Sequence, residues 1–165
     1  YLISSGHKKI SYIAGWEGAS TQRDREAGFR FILNEAGIKL YSRRIGNFVL
    51  EESREATRSM FSNKVPDAVF VANDHMALAV MDTLRYELGL KIPDDVSIVG
   101  YDDVPAASWP SYLLTTVQQP VNIMVRETVE ILIEKIDNAY ARPQKIKIDG
   151  PLILRNSTKT QKGYI

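Results

Sequence analysis

Residues 68–89, A-V-F-V-A-N-D-H-M-A-L-A-V-M-D-T-L-R-Y-E-L-G, decide the fold class. Residues 68–72 are apolar without alternation, which is typical of a strand in a sheet that is covered on both faces. Asn73 or Asp74 is then expected to cap a helix that runs to Leu88 and ends at the following glycine. A buried strand that leads directly into an amphipathic helix is the repeating unit of a parallel α/β sheet.

The same alternation of apolar runs and amphipathic segments extends in both directions from this stretch. Further strands are expected at residues 10–14, 43–45, 96–100, 114–117 and 152–154. Further helices are expected at residues 21–36, 51–63 and 121–139. Right-handed crossovers would wind these elements into an α/β, Rossmann-like parallel sheet with helices on both faces.

Composition excludes several classes of protein. The chain has 165 residues, and its 21 basic and 20 acidic residues give a net charge of +1. A module that binds nucleic acid usually carries a concentrated basic excess, and none is visible here. Since there is no cysteine, a disulfide framework and a cysteine-based zinc site are both excluded. No apolar run approaches the roughly 18 residues of a membrane-spanning helix, so we expect no membrane partner.

Polar and aromatic residues follow each predicted parallel strand. In an open parallel sheet, ligands bind beyond the carboxyl ends of the strands. Aromatic rings stack on apolar faces, while amides and carboxylates bond to hydroxyl groups, so the set suits a small polyhydroxylated ligand. The residues concerned are Gly15-Trp16, Asn47-Phe48, Asn73-Asp74, Asp102-Asp103 and Gln118-Gln119.

The sequence contains few features that are typical of an enzyme. The dinucleotide fingerprint GxGxxG, the phosphate loop GxxxxGK[ST] and the nucleophile elbow GxSxG are all missing. No catalytic residue and no cofactor is therefore expected. Asp74-His75 and Asp102-Asp103 could together form a metal cluster, but helix capping and hydroxyl binding are the simpler roles for these aspartates.

Six motifs carry a family resemblance. In order and spacing the chain resembles the lac/gal-repressor family of bacterial transcription regulators. The resemblance implies a helix-turn-helix headpiece, followed by a two-lobed core that is similar to periplasmic sugar-binding proteins and binds its effector between the lobes. The motifs are S-G-H-K-K-I (5–10), S-T-Q-R-D-R-E-A-G-F (20–29), A-N-D-H-M-A-L (72–78), I-P-D-D-V-S-I-V-G-Y-D-D (92–103), L-T-T-V-Q-Q-P (114–120) and L-I-L-R-N-S (152–157).

The resemblance also implies a division of the chain. Residues 1–119 are expected to form the second lobe of the periplasmic-binding-protein-like core. Residues 120–150 would return to a first lobe that is absent from this chain, residues 151–157 would form a final strand, and 158–165 a flexible tail. The turn before Gly6 reads as the end of a helix, so we expect the chain to begin inside an element. Helix 121–139 has two apolar flanks, which suits burial against the first lobe or against another copy.

Seven residues are implied as ligand contacts. Arg25 matches the arginine of the binding cleft, and Asp102 the carboxylate that accepts ligand hydroxyls. Asn73 could both cap its helix and bind the ligand. Asn47 stands where the family often has aspartate, so the geometry of that loop is less closely implied, and the aromatic after it could instead be a core residue. Trp16 could instead be a buried rim aromatic, and Asp103 is expected as a capping or loop residue. The full set of expected contacts is Arg25, Asp102, Asn73, Phe48, Thr21, Gln119 and Trp16.

The resemblance implies partners as well. These are a small-molecule effector, a sugar or related metabolite, and operator DNA, bound through the missing headpiece of a cytoplasmic repressor. A homodimer or higher homo-oligomer would pair through the helix from Asp74 and the loop 105–113, where Trp109 and Tyr112 could instead pack on their own loop. An alternative is a sugar-binding protein of a transport system, which the sequence upstream of Tyr1 would distinguish. Arg25 leaves a neutral sugar, a phosphorylated sugar and a purine open as effectors.

Overall fold

The computed structural model describes residues 1–63, 65–138, 140 and 142–159. Its strands are β1 (Ile10–Ala14), β2 (Arg43–Ile45), β3 (Ala68–Val71), β4 (Ser97–Asp102), β5 (Thr115–Gln118) and β6 (Leu152–Ile153). Its α-helices are α1 (Ser20–Glu35), α2 (Leu50–Asn63), α3 (Asp74–Asp82) and α4 (Val121–Asp137). Two short turns complete the elements, a π-helical turn at Thr83–Glu87 and a 3₁₀ turn at Pro105–Ser108.

The strands form one sheet in the order β2-β1-β3-β4-β5-β6. The first five are parallel to their neighbours, which confirms the predicted α/β fold class. β6 is antiparallel to β5, with Leu152 opposite Val117. A two-residue strand at the edge has no sequence pattern that indicates its direction, so the sequence could not predict this pairing.

One face of the sheet is covered by α1. Tyr12 of β1 and Phe70 of β3 lie opposite each other, and their ring centroids are 5.3 and 5.1 Å from that of Phe29 of α1. Because side chains alternate along a strand, the intervening residues Ile13 and Val71 point to the other face. There they belong to the buried core that includes residues of α2 and α3.

The start of α3 and the first turn of the chain follow the predicted chemistry. The amino end of α3 is capped by Asn73, whose side-chain oxygen accepts from the Met76 amide at 3.0 Å. The chain's first turn ends at Gly6 with φ +88°, where the His7 amide donates to the Leu2 carbonyl at 3.1 Å. Glycine favours this kind of terminating turn because, without a Cβ, it adopts a positive φ without strain.

Two predicted boundaries differ from the structure. The helix expected to reach Leu88 is α-helical only to Asp82 and then continues as the π-helical turn. Thr158, expected as the first residue of the flexible tail, is instead buried and forms hydrogen bonds with the hydroxyls of Thr115 and Tyr1. The remainder of that tail, 160–165, and residue 139 at the predicted end of α4 lie outside the described residues.

The predicted apolar flanks of α4 are present but unburied. None of its residues is buried within the described part of the chain. Ile136 is 80% exposed, and the other large apolar side chains of the helix that are exposed are Val121, Ile123, Met124, Val125, Val129, Leu132 and Ile133. No described helix is both long enough and apolar enough to cross a bilayer.

Candidate ligand-binding site

The carboxyl ends of β1 to β5 meet at one edge of the sheet, because these five strands are parallel. We call this the binding edge; it consists of the last residue of each strand and the residues just after it, together with the side chains that reach them from α1. All five predicted residue pairs lie here.

Arg25 reaches the binding edge from α1. One terminal nitrogen donates to the Ala72 carbonyl at 2.6 Å, and the other to Asp102 Oδ1 at 3.1 Å. The guanidinium also lies 3.9 Å over the ring of Tyr101, within the range of a cation–π contact. Arg25 and Asp102 are only 14% and 21% exposed, so the pair is held in one arrangement with part of its surface open.

Gln119 joins the same carboxylate. Its Nε2 donates to Asp102 Oδ1 at 2.5 Å, and its backbone amide donates to the Asp102 carbonyl at 3.2 Å. Arg25, Asp102 and Gln119 therefore form one connected group, the Asp102 cluster. Both side-chain bonds go to Oδ1, and none to Oδ2 is found within the described residues.

Asp74 lies buried beneath this cluster and fixes the loop after β4. Its Oδ1 accepts from the Thr116 hydroxyl at 2.6 Å, and its Oδ2 from the Val104 amide at 3.0 Å. Burial raises the pKa of this carboxyl above its usual value, and the charge of Asp102 adds to the effect. Gly100 is required beside it, because a Cβ there would lie 2.2 Å from Asp74 Oδ1.

Asn73, and not Asp74, is the N-cap of α3. Within the described ranges there is no group of three or more histidine, aspartate or glutamate side chains that could hold a metal ion. Asp74 instead positions the backbone that carries Asp102.

Asp103 is an anchor for two other segments. The sequence predicts a loop or capping residue here, but its Oδ1 accepts from Arg155 at 2.7 Å and its Oδ2 from Gln118 at 2.7 Å. It is 10% exposed and Arg155 is 16% exposed. The neighbouring carboxylates thus divide their roles, since Asp102 meets α1 and the open edge while Asp103 holds β5 and the segment after β6.

Asn73 and Phe48 lie at the binding edge in their predicted positions. Asn73 uses Oδ1 as the helix cap, and no bond from its Nδ2 is found among the described residues, so a donor is left over. Phe48 is half-buried and packs against the core, with its ring so close to Gly15 that a Cβ there would lie 2.1 Å from the ring. Phe48 is therefore both a core aromatic and a wall of the binding edge.

Trp16 and Thr21 are the outer members of the predicted set. Trp16 is 59% exposed, and its ring lies over Gly18, so it is not a buried rim aromatic. Thr21 is exposed at the start of α1. In the described part of the chain, no hydrogen bond links either side chain to the Asp102 cluster.

Sequence reasoning missed Gln22, a buried glutamine on α1. Its Oε1 accepts from the Gly15 amide at 2.8 Å and from the Tyr12 hydroxyl at 3.0 Å. Burial raises the pKa of Tyr12 to about 12. The available signal was spacing, because Gln22 stands seven residues before Phe29 and so shares its inward-facing side of the helix.

A second concavity adjoins the site but differs in chemistry. A groove of about 530 Å³ opens on the α1 face of the sheet, and Arg25 and Tyr101 lie at its border. Its remaining lining is largely aliphatic and aromatic, including Ile32, Val99 and Leu152. A polyhydroxylated ligand needs several polar partners, so the binding edge is the better candidate.

The loop between β4 and β5 is anchored on the end of α3. Tyr112 donates to Asp82 at 3.2 Å, and Arg85 donates to the Ser111 carbonyl at 2.5 Å. Tyr112 therefore contacts α3 of its own chain, and the pairing of this loop with a second copy stays a prediction. Trp109 is 57% exposed and Tyr86 is 80% exposed, so aromatic surface remains on this face.

Comparison with known proteins gives consistent matches along the chain. The family described as periplasmic binding protein-like domain matches residues 1–158. The HTH-type transcriptional repressor PurR of Photobacterium profundum is 34% identical over 162 residues, which are 96% of this chain and 48% of the relative. The chain thus spans about half the length of the curated relatives that it matches.

Two solved structures of transcription regulators have a similar fold. The lac repressor dimer bound to operator and the anti-inducer ONPF superposes with a TM-score of 0.89 at 30% identity, covering 96% of this chain and 55% of that one. The complex of the transcriptional regulator CelR with cellobiose gives 0.87 at 33% identity, covering 94% of this chain and 48% of that one.

Proposed function

The chain belongs to the periplasmic binding protein-like family, in its lac/gal-repressor group, and on that premise we propose that it is the effector-binding lobe of a DNA-binding transcription regulator. The observation that carries the proposal is the Asp102 cluster, in which side chains from α1, β4 and the residue after β5 converge at the binding edge. Such convergence of polar groups at strand ends is typical of ligand sites in open α/β sheets.

In this proposal the effector bonds to the groups that the fold leaves available. Asp102 accepts a ligand hydroxyl through Oδ2, Asn73 donates through Nδ2, and Gln119 accepts through Oε1. Rings at the binding edge stack on the apolar face of the ligand. The proposed contacts remain Arg25, Asp102, Asn73, Phe48, Thr21, Gln119 and Trp16.

The site contacts both segments that flank residues 120–150. Gln119 is followed by Pro120 and α4, while Arg155 lies just after β6 and is paired with Asp103. A ligand that bonds to Asp102 therefore contacts a carboxylate that already accepts a hydrogen bond from Gln119, just before α4. An effector that binds one arrangement of these connections more tightly shifts the population toward it.

The remainder of the proposal follows the division predicted from the sequence. Residues 1–119 and 151–157 form the effector lobe, and residues 120–150 lead to a first lobe and back. The whole protein is a cytoplasmic, homodimeric repressor that binds operator DNA through a headpiece and catalyses no reaction. This part of the proposal is supported by the relatives of the chain, which are transcriptional repressors.

The test uses the intact protein and DNA from the region upstream of its own gene. Fluorescence anisotropy would measure DNA binding with and without each member of a panel of neutral mono- and disaccharides. An effector should change DNA affinity, and Asp102→Asn should abolish the response while leaving DNA binding intact. Asp94→Asn is the matched control, because Asp94 is an exposed carboxylate in the turn before β4.

Two results would contradict the proposal. One is a deletion of the gene that leaves every neighbouring transcript unchanged. The other is sugar binding by a protein that has no affinity for its upstream DNA, which would favour a component of a transport system instead.

A further inference from the structure

Trp16 stands on the short loop between β1 and α1. We call residues 15–19 the Trp16 loop. The indole packs on its own loop, because a Cβ at Gly18 would lie 2.3 Å from the ring, yet more than half of Trp16 is exposed. A ring that is already held in one place loses little conformational freedom when a ligand stacks on it. The contacts that fix this loop therefore bear on binding.

Gln22 fixes the start of the Trp16 loop from inside the protein. Its Oε1 accepts from the Gly15 amide at 2.8 Å, and its Nε2 donates to Glu26 at 2.8 Å. A primary amide has one accepting end and one donating end, whereas an ionised carboxylate only accepts. Glu26 therefore turns the donating end of Gln22 toward itself and leaves the accepting end to the loop.

Glu26 is kept ionised by two arginines. Burial raises the pKa of this carboxyl, but hydrogen bonds from Arg43 and Arg30 outweigh the effect and lower the pKa below its usual value. The carboxylate accepts from both arginines and from Gln22, and it is largely buried. Glu26 is thus a fixed acceptor around which these side chains are arranged.

Arg43 of β2 reaches the Trp16 loop by two routes. Its Nε and one terminal nitrogen donate to Glu26 at 2.8 and 2.9 Å, and the same terminal nitrogen donates to Glu17 at 2.8 Å. The first route continues through Gln22 to the amide of Gly15, and the second ends on the side chain of Glu17. Because Gly15 and Glu17 flank Trp16 in sequence, one arginine restrains the loop both before and after the ring.

We propose that Arg43 is a positioning residue of the effector site, which holds the Trp16 loop in one arrangement so that the ring is in place before an effector binds. Arg43 itself contacts no ligand in this proposal. Its consequence for binding rests on the proposed effector function, whereas the fixed loop can be tested without any effector.

Fluorine NMR of the intact protein, labelled with fluorotryptophan, tests the fixed loop. The resonance of Trp16 is the one that disappears in Trp16→Phe. In Arg43→Met this resonance should shift toward the position of free fluorotryptophan and become narrower, because motion of a released loop averages the surroundings of the ring. Arg43→Lys should reverse the shift only in part, because an ammonium group lacks the planar fork that bonds to two carboxylates.

Arg30→Met is the matched control. Arg30 donates to the same carboxylate at 2.8 Å, but no bond from it to the Trp16 loop is found among the described residues. The control should leave the Trp16 resonance in place. The inference is overturned if Arg43→Met is folded by circular dichroism and its Trp16 resonance does not move, or if Arg30→Met moves the resonance as far.

Glu17→Ala covers the case in which Arg43→Met does not fold. This substitution removes only the exposed end of the second route, and Arg23 still donates to the carbonyls of Glu17 and Gly18. We expect a smaller shift of the Trp16 resonance in the same direction. An unmoved resonance in Glu17→Ala would overturn the inference in that case.

The consequence for binding is measured in the DNA-binding assay with the panel of neutral mono- and disaccharides. For each saccharide that acts on the wild type, Arg43→Met should raise the concentration of half-maximal effect about 5–30-fold, because only molecules with the loop in place bind well. The maximal effect should be retained, and Arg30→Met should resemble the wild type. An unchanged half-effect concentration beside a released loop would overturn the role of Arg43 in binding. A panel without any response would count against the effector function alone, since the NMR experiment involves no saccharide.

Discussion

Arg155 donates to Asp103 at 2.7 Å and so ties the segment after β6 to the loop after β4. The two residues are 52 positions apart in sequence, and both side chains are largely buried. Arg155 also donates to the Leu114 carbonyl at 2.8 Å. The pair thus holds β6 in place against the same loop that follows Asp102.

Breaking this pair should be costly. Arg155→Met leaves Asp103 buried without its cation, and we expect unfolding free energy to fall by about 2–4 kcal/mol. Urea denaturation measures the loss. Arg54→Met, which removes an exposed contact of 3.4 Å to Glu51, is the control and should have a much smaller effect. Equal effects of the two substitutions would show that the Asp103 pair has no special structural role.

Gln22 supports the loop after β1 from below. Gln22→Met would leave the Gly15 amide and the Tyr12 hydroxyl without their buried acceptor. We expect a loss of about 2–3 kcal/mol in urea denaturation, because unsatisfied buried donors cost about 1–3 kcal/mol each. The neighbouring exposed Arg23→Met should be close to neutral. An unchanged stability for Gln22→Met would rule out this supporting role.

The sequence predicted the sheet well because its strands carry strong local signals. β1 and β2 have the predicted bounds, and the other parallel strands differ by one or two residues. The π-helical turn after α3 was not predictable, because it keeps the apolar spacing of an ordinary helix. The direction of β6 depends on its pairing with β5 and on no pattern of its own.

The candidate site was predictable in its location but not in its internal bonds. Asp102 and Asp103 are adjacent identical residues, and nothing local distinguishes them. Their roles are set by partners from distant segments, Arg25 at 77 positions and Arg155 at 52. Such long-range pairing appears only once the sheet order has brought the segments together.

His7 should make the fold sensitive to acid. It is buried near the first turn, and its Nε2 has no partner within the described residues, while Nδ1 lies 3.5 Å from Asp67. Burial lowers the pKa of His7 below its usual 6.5, although Asp67 opposes the shift. Below pH 6.5 the unfolded chain therefore binds more protons than the native one, and stability falls as pH falls.

Urea denaturation at pH 7.5, 6.5 and 5.5 checks this prediction. The wild type should lose stability across the series, and His7→Gln should reduce the slope. His75→Gln is the matched variant, because His75 is the only other histidine of the sequence. A slope that is unchanged by His7→Gln would assign the acid sensitivity to other groups.

Replacement by alanine should change the free energy of unfolding in opposite directions at two glycines. A Cβ at Gly15 would lie 2.1 Å from the Phe48 ring, whereas a Cβ at Gly28 in α1 would meet nothing within 4 Å. Gly15→Ala must displace the aromatic wall of the binding edge, and we expect a loss of about 1–3 kcal/mol. Gly28→Ala should gain about 0.5–1 kcal/mol, because alanine loses less backbone freedom on forming a helix.

Chemical denaturation of both variants tests whether steric packing, and not membership of a family motif, makes a glycine necessary. Gly28 belongs to the R-E-A-G-F motif that carries the family resemblance. However, a Cβ at this position would meet nothing within 4 Å, so packing does not require a glycine there. Combining Gly15→Ala with Phe48→Leu should recover part of the lost stability, because the smaller side chain makes room for the new methyl group. If Gly15→Ala were neutral on its own, the Phe48 ring would not be held against β1, and its place as a wall of the binding edge would have to be abandoned.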